Sequence, residues 1–126
     1  MWEAYPLGDE DLLWAGVNFM GGISGHQQAP CGAVSASAIC LGLRHRCPLD
    51  DKEQAEQARA KARQDAGEVV RVFTEKFGTI ICRDLLGFDF SDIEAARHFR
   101  ESGMWREKCN KYVQFIIEKL YELEQR

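Results

Sequence analysis

Ala55, Ala58, Ala62, Ala66, Val69, Phe73 and Phe77 recur at spacings of three and four along one continuous stretch. That period lays them on one stripe of an α-helix and excludes a strand, whose side chains alternate every second residue. Asp50 followed by Glu53 reads as a capping box at the start, and Gly78 as the C-terminal cap. A long amphipathic helix is stable only when its stripe is covered, so the rest of the chain must supply partners. The hydrophobic pattern is helical from end to end, with no repeat, low-complexity tract or Pro/Gly-rich linker. The expected fold is therefore all-α, a single helical domain over residues 1–126. We expect a compact bundle of about five to six helices around a central apolar helix.

A first helix is expected from about Asp9 to Met20, opened by the acidic run Asp9-Glu10-Asp11 and carrying Leu13, Gly16, Val17 and Met20 on one face. It stops at Gly21-Gly22. Pro30 suits the first turn of a second helix that runs to about Arg44. This helix is apolar on nearly all sides (Val34, Ala36, Ala38, Ile39, Leu41, Leu43), as expected of the central element. Thr79 reads as the N-cap of a short helix carrying Cys82, with Gly87 as its stop. Ser91 and Glu94 read as the capping box of a helix through about Phe99. The last helix, to about Leu123, sets Cys109, Tyr112, Val113, Ile116 and Leu120 on one core-facing stripe, with Trp105 in line.

A chain of 126 residues buries about two thirds of its unfolded surface, enough for a core without disulfide staples. Its 45% apolar and 29% charged composition is that of an ordinary globular protein. A net charge of −4 without a basic cluster excludes nucleic acid as a natural partner. No apolar run approaches the roughly 20 residues of a membrane span, and no export signal is visible, so the cytoplasm is the expected location. The five cysteines cannot all pair within one chain, and in a reducing compartment they read as thiols, metal ligands or redox centres.

Three of them are placed for chemistry. A thiolate is a nucleophile or metal ligand, and the positive end of a helix stabilises it. Cys31 follows Pro30 at the start of the second helix, and Cys82 lies three residues past Thr79 beside Arg83. Cys109 gains the same effect only if its helix begins at Asn110. These thiols meet only through tertiary packing, and no CxxC pair marks a zinc ribbon or a thioredoxin-like motif. Cys40 reads as core, and Cys47, after His45 and Arg46, as a more exposed thiol. His26, five residues before Cys31 on a glycine-rich loop, is in range to give a nitrogen ligand or shuttle a proton. His45 and His98 read as surface residues, and the charges between Asp51 and Arg63 as the solvent face of the long helix. The loop Gly21-Gly22-Ile23-Ser24-Gly25 lacks any phosphate-binding pattern.

The segments Pro30-Cys31-Gly32-Ala33-Val34-Ser35-Ala36, Phe77-Gly78-Thr79-Ile80-Ile81-Cys82-Arg83-Asp84-Leu85-Leu86-Gly87 and Lys108-Cys109-Asn110-Lys111-Tyr112-Val113, in this order, carry a family likeness. The chain from about Leu12 to about Leu120 resembles the bacterial C_GCAxxG_C_C family of redox-active proteins. This resemblance implies a small helical protein whose cysteines hold a prosthetic group such as an iron–sulfur cluster. No residue here matches the cysteine that the family carries in an upstream helix, and Ala36 stands where the motif ends in Gly.

The expectation is a redox-active or cofactor-binding protein in which Cys31, Cys82 and Cys109 converge on an iron–sulfur cluster or other metal. His26, solvent, substrate or another cysteine would fill the remaining position. The alternative is a metal-free carrier in which Cys31 and Cys82 cycle between dithiol and disulfide. A third reading is a non-enzymatic helical interaction module with vestigial cysteines. The first two call for an electron-transfer partner or oxidoreductase, and an unpaired helical face would invite a homodimer.

Overall fold

The computed structural model describes residues 9–126, and among these the protein is all-α. α1 spans Asp11–Gly16 and runs into a 3₁₀ turn, Val17–Phe19. α2 is Gly32–Arg44, α3 Lys52–Phe77, α4 Cys82–Leu86, α5 Ile93–Glu101 and α6 Met104–Glu124.

The 26-residue α3 is the backbone of the bundle. Asp51, not Asp50, caps it by accepting from the Gln54 amide at 3.0 Å. Gly78 ends it in the left-handed conformation (φ 85°), which glycine enters without strain. α5 is likewise capped one residue later than the Ser91 expectation, by Asp92 on the Ala95 amide. In both, a carboxylate sits at the positive helix end, where it is favoured.

α2, α3 and α6 pack around one core in which Leu41, Val69, Phe73 and Leu120 are almost wholly buried. Phe73, Phe77, Tyr112 and Phe115 interlock beside it, with the Phe77–Tyr112 ring centres 4.9 Å apart and nearly perpendicular. Such tilted contacts let the positive ring edge meet the negative face. A second, smaller core gathers Cys82, Leu86 and Phe99, with Phe88, Phe90, Met104 and Cys109 against it.

Four further expectations are corrected. Pro30 lies outside α2, in an antiparallel bridge with Ile81, and Cys31 is the N-cap. The bridge hydrogen bonds run from Cys31 N to Ile80 O (2.7 Å) and from Cys82 N to Ala29 O (3.1 Å). Pro30 thus occupies the pair position that needs no N–H, the one strand site where proline loses nothing. α2 is not enclosed on all sides, since Ala36, Ala38 and Gly42 are exposed. α1 is shorter than predicted, and Leu13, Val17 and Met20 face solvent. In α6, Ile116 and Leu120 are buried as the stripe requires, whereas Val113 and Trp105 are exposed.

Candidate functional site

The bridge between the loop before α2 and the loop before α4 is what builds the site. Cys31 and Cys82 each follow one bridge residue, so they stand as diagonal neighbours across a two-strand contact. Thr79 accepts from the Ile81 amide at 3.1 Å, making Ile81 and not Thr79 the N-cap of α4. Cys82 is then the first residue of α4, buried to 6% exposure, while Cys31 is half-buried. α6 begins at Met104, so Cys109 sits in mid-helix and gains nothing from a helix end. It reaches the same place from the other side, packed on the Cys82 cluster.

The three thiols act on one another. Burial first, and then the charge that Cys31 and Cys109 would carry, push the Cys82 thiol up to about 11. Burial and Cys31 raise Cys109, although Lys108 opposes them. Burial also raises Cys31, against the amides of Ala33 and Val34, which favour its thiolate. Tyr112 records the same clustering: burial raises it, followed by Cys109, Cys31 and Cys82. Its hydroxyl donates to the Leu85 carbonyl at 3.1 Å. The expectation that helix ends hold these thiols as thiolates is thereby overturned, because desolvation outweighs the helix ends. At neutral pH the pocket holds protons.

Gln27 is the residue that sequence reasoning missed. It is fully buried with φ 63°, a strained conformation for a residue with a Cβ. Its side chain donates to Phe88 O (3.0 Å) and accepts from Phe90 N (2.7 Å), its carbonyl accepts from Arg83 N, and its amide favours the Cys82 thiolate. One residue, through its backbone carbonyl and its side chain, therefore ties α4, the following loop and the thiol together. A polar residue in a glycine-rich loop gives no periodic signal of this. Tyr112, by contrast, was legible as the residue one turn from Cys109.

His26 is exposed and lines a polar cavity of about 280 Å³ with Ser24, Arg83 and Asp89, where Arg83 pairs with Asp89 at 2.9 Å. Ala36 lines a different cavity, between α2 and α6. Cys40 is core at 5% exposure, and Cys47 is half-buried. His45 is not a surface residue. Its Nε2 lies 2.8 Å from the Asp65 carboxylate, which Lys61 also meets at 2.7 Å. Burial pushes the Asp65 carboxyl up, but these two partners outweigh it and hold it below its ordinary value. Asp65 falls within the apolar stripe, between Ala62 and Val69, and a carboxylate there signals a buried partner. Among the described residues no three His, Cys, Asp or Glu side chains stand together so as to hold a metal ion. As placed, the thiols do not fit a single-ion site.

The bundle brings Cys31, Cys82 and Cys109, from three separate elements, near one another. A family model described as "Putative redox-active protein (C_GCAxxG_C_C)" matches residues 1–123, and the chain belongs to that family. No curated protein and no solved structure matches it. None of the described helices is long and apolar enough to cross a membrane.

Proposed function

We propose that the protein is a thiol-based redox carrier in which Cys31 and Cys82 pass between dithiol and disulfide. The observation that supports this reading is the Pro30–Ile81 bridge, which keeps the two cysteines diagonal to each other. Diagonal neighbours lie about 7–8 Å apart between Cα atoms, and a disulfide closes at up to about 7 Å. Bond formation then needs a shift of about 1 Å in the loop before α2.

The half-exposed Cys31, whose thiolate the Ala33 and Val34 amides favour, is the attacking group. It displaces one thiol from a partner's disulfide to give a mixed disulfide. Cys82 then attacks the Cys31 sulfur and releases the second partner thiol. The protein loses two electrons and two protons, and the partner gains both. Because burial disfavours both thiolates, the dithiol form is not stabilised by ionisation. The partner is a dithiol or disulfide protein, and a reducing compartment such as the cytoplasm suits a carrier of this kind.

An iron–sulfur cluster or metal held by Cys31, Cys82 and Cys109 is the second reading. It is favoured by the pooling of a third thiol, Cys109, that a two-cysteine couple does not need. It requires the thiols to draw closer than they stand, with His26 or an outside ligand completing the set. Protein purified without oxygen separates the two. Five titratable thiols, falling by two on oxidation with a Cys31–Cys82 linked peptide, are the result expected of the carrier. Stoichiometric iron with acid-labile sulfide would replace it with the cluster.

A further inference from the structure

α1 and its 3₁₀ turn bury none of their residues. A six-residue helix has no stability of its own, because nucleation costs more than so few hydrogen bonds return. Its large apolar side chains nevertheless point outward: Leu13 is 49% exposed, Trp14 73%, Val17 53% and Met20 61%, with Ile23 of the next loop at 43%. At about 200 Å² for a large side chain, these fractions come to about 560 Å² of apolar surface along α1 and the loop after it. That is the upper end of what a monomer leaves uncovered, and patches of this size mark interaction sites.

The strip is also free of charge. From Leu12 to Leu43 the sequence holds no Asp, Glu, Lys or Arg, although 29% of the whole chain is charged. Charge complementarity is what selects a foreign partner and steers its approach, and this surface offers none. A two-fold contact has the opposite requirement, since each group near the axis meets its own copy and any charge there meets its like. The area agrees. Two such strips face to face bury about 1,100 Å², just above the roughly 1,000 Å² expected of a specific interface.

We propose that this strip is the interface of a homodimer, with a second copy of the chain seated on Leu13, Trp14, Val17 and Met20. The acidic Asp9, Glu10 and Asp11 stand at one end of the strip. The two copies therefore run antiparallel, which keeps those ends apart. Trp14, the largest and most exposed side chain of the set, is the anchor. The interface reaches the thiol pocket from behind: Met20 packs on Gly32, beside Cys31, and Gly22 backs onto Cys82. The proposal does not depend on which redox chemistry the pocket performs.

Sedimentation equilibrium of the full chain over a wide concentration range tests it. The expected mass is twice 14.3 kDa at micromolar concentration. The dimer is not weakened by added sodium chloride, because no ion pairs hold it. Trp14→Ser and Met20→Glu each weaken it at least tenfold. Both residues are exposed in the single chain, so helical circular dichroism stays unchanged and a folding failure is distinguishable. A single-chain mass at every concentration overturns the proposal, as does a dimer that both variants leave intact. A monomer from which Trp14→Ser removes a buried-indole component of the emission also overturns it, the strip then being covered from within the chain.

Discussion

Gly22 stands so close to Cys82 that a Cβ on Gly22 would lie 3.0 Å from the Cys82 Cβ, and only 2.7 Å from the Ala29 carbonyl oxygen. Gly22 also has φ 63°, so two independent constraints exclude a side chain there. Gly22→Ala is expected to cost about 1–3 kcal/mol in urea unfolding and to raise the alkylation rate of Cys82. Gly67 in α3 is the matched control, exposed and with nothing within 4 Å of an added Cβ. Gly67→Ala is expected to stabilise by up to about 1 kcal/mol. Equal effects at the two glycines would contradict the packing described.

Gln27→Leu keeps the side-chain volume and removes its polar bonds to Phe88, Phe90 and the Cys82 thiol. The Phe90 amide and Phe88 carbonyl are left without their partner, a loss of about 1–3 kcal/mol each if water does not enter. The Cys82 thiol should rise further, because the one group that lowers it is gone. Cysteine-labelled NMR titration reads this directly. A Cys82 titration unchanged by the substitution would show that Gln27 only holds the loop.

Cys31→Ser and Cys40→Ser separate chemistry from packing. Cys31 is half-buried and Cys40 is core. The first is expected to abolish the linked peptide while shifting stability by less than about 1 kcal/mol, and the second to keep the linkage while costing about 1–3 kcal/mol for a buried hydroxyl. Loss of the linkage in Cys40→Ser would reassign the couple.

Acid should loosen the junction of α3 and α6. Arg126, at 2.8 and 2.9 Å, and then Lys119, at 2.9 Å, hold the Glu68 carboxyl down to about 2 from an ordinary 4.5. A folded-state value below the unfolded one gives stability that is present above pH 4.5 and lost as pH falls toward 2. The urea midpoint should drop across that window, and Glu68→Gln should flatten part of the slope. Asp65, held low by Lys61 and His45 against its own burial, and Asp89, held low by Ser91 and Arg83, contribute further. A slope identical in Glu68→Gln would show the ion pairs to be screened.

Helix order, both left-handed glycine caps and the core stripe of α3 were legible because each rests on local periodicity or on the one residue that tolerates positive φ. Cap positions slipped by one where two acceptors stood side by side, as at Asp50 and Asp51. The outward face of α1 was not legible, since periodicity shows that a stripe exists and not what covers it. At the site, motif order pointed to Cys31, Cys82 and Cys109. Their ionisation ran opposite to the local expectation because burial is a tertiary quantity. Gln27 and the His45–Asp65 pair depend on contacts 61 and 20 residues apart, beyond any local pattern.

The central claim is the Cys31–Cys82 couple, and disulfide mapping across a series of poised thiol buffers tests it most directly. The account predicts one reversible two-electron transition, with Cys31 joined to Cys82 in the oxidised form. A protein in which these two cysteines never join at any potential would contradict it.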